Sequence, residues 1–320
     1  MGLPFLFAEV NSSLPPALRH DAWIVAGPTA VGKSELAVAL AEQCNGEIVG
    51  ADAFQVYEGL ELLTAKPSPA LRARVPHHLI GEIPLTESFD VAKYLERAEL
   101  RLSEIRARGR QPLIVGGAGL YLRALTRGLA QLPPADAAVR AELELAPLAS
   151  LQARLRELDP ASATVIDLAN PRRVIRALEV CLLTGRPFSS FREQWGETDP
   201  QSVGLLLLRP REELYARIDR RIDEMFAAGV AAEVAALGEV GPTAGQTLGL
   251  REIRGCLAGK ICERECMASM KQATRNYAKR QLTWFRREPS LRTVDLDATT
   301  EPTALLRFAD DLAAAGKSEA

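Results

Sequence analysis

Histidine is scarce in this chain. His20, His77 and His78 are the only three, too few for a metal centre built on imidazole. Cysteine supplies no framework either. The five (Cys44, Cys181, Cys256, Cys262 and Cys266) are an odd number in a chain of 320 residues, which argues against a disulfide scaffold. Cys256, Cys262 and Cys266 cluster in sequence, but no C-x-x-C pair and no nearby His completes a zinc site. Free thiols in a helical region are expected. No long apolar run occurs. Residues 3–8 are apolar but too short for a membrane span, and no Lys or Arg precedes them. Neither a span nor a signal peptide is expected, and the cytoplasm is the expected compartment. A strong charge of one sign is also missing: 39 basic against 41 acidic residues leave −2. The chain as a whole is not a generic polyanion binder, so any nucleic-acid surface must come from local clustering. The guanine-reading pattern N-K-x-D is absent too.

What remains is the composition of a globular protein, 47% hydrophobic and 25% charged. Its length suits one large domain or two ordinary ones. Within it, Gly27-Pro28-Thr29-Ala30-Val31-Gly32-Lys33-Ser34 fits the phosphate-loop pattern G-x-x-x-x-G-K-[ST] at every fixed position. An apolar run at 22–26 reads as a buried strand before it, and residues 35–43 read as a helix after it. That context is what the chemistry requires. Glycines let backbone N–H groups close around phosphate oxygens, and a helix start adds partial positive charge. Lys33 is placed to reach terminal phosphates, and the Ser34 hydroxyl to hold Mg²⁺. The loop alone does not say whether its ligand is ATP or another diphosphate.

Residues 47–50 read as a second strand with Asp52 just past its end. Ligands of open parallel sheets bind outside the carboxyl ends of strands, so Asp52 belongs near the loop. Three roles stay open for it: a turn or helix cap, a Mg²⁺ ligand, or a general base. His77 and His78 read as a loop pair, solvated or hydrogen-bonded. Residues 91–108 read as an amphipathic helix, and 112–115 as a strand running into Gly116-Gly117-Ala118-Gly119. That turn is expected to let backbone approach a ligand. Another helix starts at 120. The alternation of strand and helix implies a parallel α/β sheet.

The pattern changes after residue 125. Residues 135–144, 150–158 and 171–184 read as helices. The last is marked by Asn170, Pro171 and Gly185. Val174, Ile175, Leu178 and Leu182 form its expected core stripe, with Arg172, Arg173 and Arg176 facing outward, against the helix dipole. A strand at 203–208 resumes the sheet, so 125–200 reads as a helical insertion into a core of 21–124 and 201–300. Residues 1–20 read as an arm and 301–320 as a tail. Residues 211–228 form a helix with Arg217, Arg220 and Arg221, and 241–249 a loop. Residues 271–287 carry six basic side chains and no acidic one. Lys271, Arg275 and Lys279 recur along one helix face, with Tyr277, Trp284 and Phe285 interleaved. Such a stripe suits a nucleic-acid backbone or is simply a solvated face.

Taken together, these stretches resemble the tRNA dimethylallyltransferase (tRNA isopentenyltransferase) family. The likeness rests on the phosphate loop, residues 52–57, Thr64-Ala65-Lys66-Pro67, Pro76-His77-His78-Leu79, and Gly116-Gly117-Ala118-Gly119-Leu120-Tyr121. It continues through residues 173–179, 217–221 and 279–286, in order, spanning about residues 22–290. The resemblance implies a P-loop NTPase-like core with a helical insertion, and transfer of a dimethylallyl group from dimethylallyl diphosphate to the exocyclic amine of the adenine 3′ to the anticodon. It implies that Gly27, Pro28, Thr29, Ala30, Val31, Gly32, Lys33 and Ser34 hold the diphosphate with Mg²⁺, that Arg221 adds positive charge, and that Asp52 takes the amine proton. Contacts to the tRNA anticodon loop are implied for Asp52, Ala53, Phe54 and Gln55, for Arg140, and for Arg172, Arg173, Val174, Ile175 and Arg176. They are implied further for Gln246, Thr247, Leu248, Gly249, Leu250 and Arg251, and for Lys279, Arg280 and Arg286. Ala118 occupies another such position. The chain is expected to act as a monomer. Two departures stand out: Ala118 replaces a usual Thr and Leu250 a frequent Tyr, so a hydroxyl at each is lost. A small-molecule kinase with ATP at the loop is the rival reading, and a nucleotide-dependent switch a weaker one.

Overall fold

The computed structural model describes residues 22–130, 132–194, 204–288 and 291–296. The arm at 1–20 and the tail at 301–320 lie outside them. The described residues fall into two compact units, the second drawn from Arg127–Thr198 and the first from the chain on either side of it.

The first unit begins with β1 (Trp23–Ala26), α1 (Lys33–Gln43), β2 (Gly46–Ala51) and α2 (Pro69–Arg74). It continues with β3 (His77–His78), α3 (Val91–Ala107), β4 (Gln111–Gly116) and α4 (Gly119–Arg127). Strand β2 is buried along its whole length, as expected of a parallel strand covered on both faces. Its one charge, Glu47, accepts from Arg108 Nε and Nη2 at 3.0 and 2.7 Å and pairs with His78 Nε2 at 2.6 Å. Burial alone would raise the Glu47 pKa; the bonds from Arg108 and His78 reverse that and hold it below the ordinary value. Helix α3 starts at Asp90, which accepts from the Ala92 and Lys93 amides. It buries Tyr94, Ala98, Leu102 and Ile105 along one face. The two histidines form a short edge strand rather than a loop. Parallel pairing with Ile48 and Val49 depends on a neighbour thirty residues away, which local composition does not reveal.

The second unit is helical: α5 (Ala137–Leu145), α6 (Leu148–Leu158), α7 (Pro160–Ala163) and α8 (Pro171–Thr184). Its core joins Leu143, Leu151, Leu155, Val174, Ile175, Ala177 and Leu178. Leu182 does not belong to the stripe. It is 39% exposed, while Val180 and Cys181 are buried, because α8 is covered over a wider arc than one narrow stripe.

The first unit resumes with β5 (Gly204–Leu208), α9 (Arg211–Ala227), α10 (Val230–Ala235), α11 (Leu250–Leu257), α12 (Glu263–Phe285) and β6 (Arg292–Asp295). Helix α12 starts well before residue 271. Its first turn is closed by the Cys262 amide donating to Glu265 Oε2 at 2.9 Å, the reciprocal arrangement of a capping box. The six strands run parallel in the order β3-β2-β4-β1-β5-β6. Ala26 and Ala51 both pair with Gly116. Gly27, Asp52 and Gly117 therefore leave the sheet side by side at its carboxyl edge. Among the described residues, no helix is long and apolar enough to cross a membrane.

Candidate active site

The loop between β1 and α1 is tightly seated. Gly27 has φ 153°, and a Cβ there would lie 2.7 Å from the Leu207 carbonyl oxygen, so no side chain fits. Lys33 folds over the loop and its Nζ donates to Gly27 O at 2.9 Å and Pro28 O at 2.8 Å. Burial of the ammonium lowers its pKa to about 8; nearby Asp52 opposes the shift and Arg221 adds to it. Arg221, on α9, directs Nη1 to Thr29 Oγ1 at 3.4 Å. Its pKa is also lowered by burial. Neither cation has a carboxylate within ion-pair distance among the described residues. Desolvated positive charge without a paired anion is costly, and such groups mark sites that receive anions.

Asp52 is half-buried across the edge. Its Oδ1 accepts from the amides of Phe54 at 2.9 Å and Gln55 at 3.2 Å, closing a turn that fixes the carboxylate. The cap role is thus real, and it leaves Oδ2 outside those bonds. Gln55 Nε2 donates to the carbonyls of Thr64 and Ala65, both at 3.0 Å, so this residue, which also lines the polar chamber, braces a neighbouring loop. Ala53 stays half-buried beside it.

Two cavities meet at this edge and share Thr29, Ala30, Asp52, Thr64, Ala65 and Arg221. The polar one is lined by Lys33, Ser34, His77 and Gln281. The other is lined by Phe54, Leu63, Ile218, Ile222, Met225, Leu248, Met270 and Tyr277. A charged chamber thus opens into an apolar one with Asp52 at the junction. His77 Nδ1 donates to Val75 O at 2.8 Å, and burial keeps its pKa low.

The glycine turn after β4 is closely packed, and its first residue, Gly116, lines the polar chamber. A Cβ on Gly116 would meet Ala51 O at 2.0 Å, one on Gly117 would meet Gln281 Nε2 at 2.3 Å, and one on Gly119 would enter the Trp284 ring at 2.1 Å. The Ala118 amide donates to Ala51 O at 3.1 Å. Gln281 is the residue that sequence reading missed. Only 6% exposed, it accepts from the Thr29 amide at 2.9 Å and donates to Gly117 O at 3.0 Å. Two arginines were missed as loop contacts: Arg217 Nε donates to Ala30 O and Arg209 Nε to Val31 O, both at 2.8 Å. Their partners lie far away in sequence, so no local pattern signals them.

The remaining expected contacts divide. In the helical unit Arg172 and Arg173 are exposed, but Val174 and Ile175 lie in its core. Arg176 is not a free outward charge. It and Arg140 both bind the buried Glu179, at 2.5 and 2.9 Å. In the first unit Gln246 is exposed and Arg251 nearly fully so. Thr247 is buried, with its hydroxyl on Ala244 O at 2.7 Å, and Gly249 and Leu250 are buried next to it. Leu250 is a core residue of α11, which accounts for an apolar side chain there. The basic stripe of α12 is largely spent on α9. Lys271 pairs with Asp223 at 2.6 Å and Arg275 with Asp219, while Lys279, Arg280 and Arg286 are exposed. All five cysteines are free.

A parallel sheet with a glycine loop, a lysine and a helix N-terminus at its carboxyl edge defines the P-loop class of α/β proteins, which hold phosphate esters there. The comparisons narrow this. The IPP transferase family model matches residues 55–288. A tRNA dimethylallyltransferase of Akkermansia muciniphila is 43% identical over 281 residues, covering 88% of this chain and 95% of that protein. One from Geobacter sulfurreducens is 44% identical over 285 residues, covering 86% and 92%. The crystal structure of a tRNA isopentenylpyrophosphate transferase from Bacillus halodurans superimposes with a TM-score of 0.68 at 33% identity, covering 93% of this chain and 97% of that one. A eukaryotic dimethylallyltransferase crystallised acting on tRNA gives 0.77 at 26% identity, covering 92% and 79%. The chain belongs to the IPP transferase family.

Proposed function

We propose that the chain transfers a dimethylallyl group from dimethylallyl diphosphate to the exocyclic N6 amine of the adenine 3′ to the anticodon in tRNA, releasing diphosphate. The observation that carries this reading is the junction of the two chambers. Lys33 offers positive charge without a paired carboxylate in the polar chamber, apolar walls stand in the other, and Arg221 and Asp52 line both. Diphosphate leaves an allylic carbon readily only when its developing charge is met, which Lys33 and Arg221 do. An adenine amine is a weak nucleophile, and Asp52 accepts its proton as the new C–N bond forms. Ala118 brings no hydroxyl to the amine, so Asp52 carries that contact alone in this account. The base must leave its stack to reach Asp52. Exposed Arg172, Arg173, Lys279, Arg280 and Arg286 supply phosphate contacts in this reading.

Mg²⁺ fits the donors present. It favours hard oxygens, with one or two protein groups and substrate phosphates completing the shell. Ser34 Oγ, lining the polar chamber, would hold it and Asp52 is near, and the ion would neutralise charge on the departing diphosphate. Among the described residues no cluster of three His, Cys, Asp or Glu occurs. The chain works in this reading as a monomer in the cytoplasm. A phosphoryl-transfer role is not favoured by membership of the IPP transferase family.

The test is transfer of labelled prenyl from dimethylallyl diphosphate to tRNA without ATP. Label should appear at one adenine and be lost when that adenine is replaced. Label transfer that requires ATP, or none at all, would contradict the assignment.

A further inference from the structure

The phosphate loop is held from outside by two arginines, and we infer that Arg217 and Arg209 are positioning residues that hold its backbone in the shape that presents the loop to the diphosphate. This inference rests on the phosphate-loop reading above. Arg217 Nε donates to Ala30 O and Arg209 Nε to Val31 O. These are consecutive carbonyls of the loop. In a trans peptide the C=O and the next N–H point in opposite directions, and the described chain has no cis peptide. Fixing the Ala30 carbonyl therefore fixes the Val31 amide, which closes a turn onto Pro28 O at 3.4 Å. Fixing the Val31 carbonyl on Arg209 turns the Gly32 amide away from that guanidinium, and Gly32 lines the polar chamber.

The loop needs such support. Ala30 has φ 66°, a left-handed conformation that a residue with a side chain adopts only when its surroundings hold it there. Two charged donors on adjacent carbonyls supply that hold. Both guanidinium groups also approach Gly32, each with Nη2 3.8 Å from where a Cβ would stand. Arg217 tolerates an unfavourable setting to be there. Burial lowers its pKa, and the neighbouring Arg209 and Arg220 lower it further. Arg209 is steadied by Glu213. Lysine can donate to a carbonyl, but its single ammonium sits at the end of a flexible stem and lacks the Nε–H of the rigid guanidinium that makes both of these bonds.

The experiment uses the full chain and three variants: Arg217→Lys, Arg217→Met and Arg209→Met. Inorganic diphosphate affinity is measured by calorimetry with Mg²⁺ present. KM is then measured separately for dimethylallyl diphosphate and for tRNA, alongside the melting temperature. A charge-assisted hydrogen bond is worth on the order of 10- to 100-fold. Diphosphate affinity should fall by about that factor in both Arg217 variants, the lysine variant included. KM for dimethylallyl diphosphate should rise in parallel, with KM for tRNA and the melting temperature near those of the unmodified chain. Arg209→Met should show the same pattern. Wild-type behaviour of Arg217→Lys would overturn the inference in favour of simple charge. Equal loss for both substrates with a collapsed melting temperature would overturn it in favour of general scaffolding, and no loss in any variant would overturn it outright. If the unmodified chain transferred no prenyl group to tRNA, the function would be wrong, yet the diphosphate titration would still decide the role of the arginines.

Discussion

In the helical unit the buried Glu179 carboxylate is met by Arg140 at 2.9 Å and Arg176 at 2.5 Å, and also accepts from the Asp136 amide. At the sheet edge Lys33 and Arg221 have lost much of their water, yet among the described residues their hydrogen bonds go to carbonyl and hydroxyl oxygens. Both regions remove charge from solvent, but only one neutralises it internally. A buried charge matched within the chain holds helices together. An unmatched one costs stability until an anion arrives. The same distinction runs along α12, where Lys271 and Arg275 are matched by α9 while Lys279 is left to solvent.

The largest expected effect follows from removing an unmatched charge. Lys33→Ala should lower kcat/KM for prenyl transfer by about 10³-fold or more, since the departing diphosphate loses its nearest cation. Its melting temperature should stay level or rise slightly, because a desolvated ammonium is gone. Steady-state kinetics and a thermal melt check both halves. Residual activity near normal would place the anion elsewhere.

Asp52→Asn keeps the Oδ1 turn but removes the base. A fall in kcat of about 10²–10⁴-fold is expected, with dimethylallyl diphosphate affinity little changed. Single-turnover rates across a Mg²⁺ titration separate the roles. Rescue by excess Mg²⁺ would make Asp52 a metal ligand instead.

In the matched region the outcome should invert. Glu179→Gln should cost about 3 kcal/mol in unfolding free energy, the lower end for breaking a buried pair, because Arg140 and Arg176 keep partial access to water. Diphosphate affinity should not change. A variant as stable as the unmodified chain in denaturant titration would remove the contrast on which this account is built.

The smallest effect concerns α12. Lys279→Ala should flatten the log–log salt dependence of tRNA binding by somewhat less than one unit. Lys271→Ala should hardly change it, because Asp223 already holds that ammonium. Equal slopes for the two variants would erase the difference between them.

Much of this was legible before any coordinates. The phosphate loop, the buried strands and the place of Asp52 follow from patterns a few residues long and from the rule that ligands sit at carboxyl strand ends. Helix α8 was marked by Pro171 and Gly185. What escaped depends on distant partners: Gln281 reaches Thr29 across 252 residues, and Arg217 reaches Ala30 across 187. The acids that neutralise Lys271 and Arg275 sit on another helix, so the basic stripe read as freer than it is. The short strand β6 and helices α10 and α11 lacked a strong period or cap. The glycines after β4 were read as letting backbone approach a ligand, while the crowding by Ala51, Gln281 and Trp284 could not be read from the sequence.

The most direct measurement is the stabilisation of the chain by inorganic diphosphate with Mg²⁺, read as a shift in melting temperature across pH. Free ligand at 100 times its Kd should add about 2.7 kcal/mol at pH 7, a rise of several degrees. Lys33 is charged below about pH 8 in the folded chain and, with its ordinary value of 10.5, up to that pH when unfolded. The unfolded chain therefore binds more protons between the two values. In the absence of ligand, Lys33 should make stability rise with pH across that window, while diphosphate affinity declines above about pH 8. Lys33→Ala and Arg221→Gln should lose most of the stabilisation, and Lys33→Ala the pH dependence with it. An undiminished shift in both variants would contradict the claim that these two cations await the diphosphate.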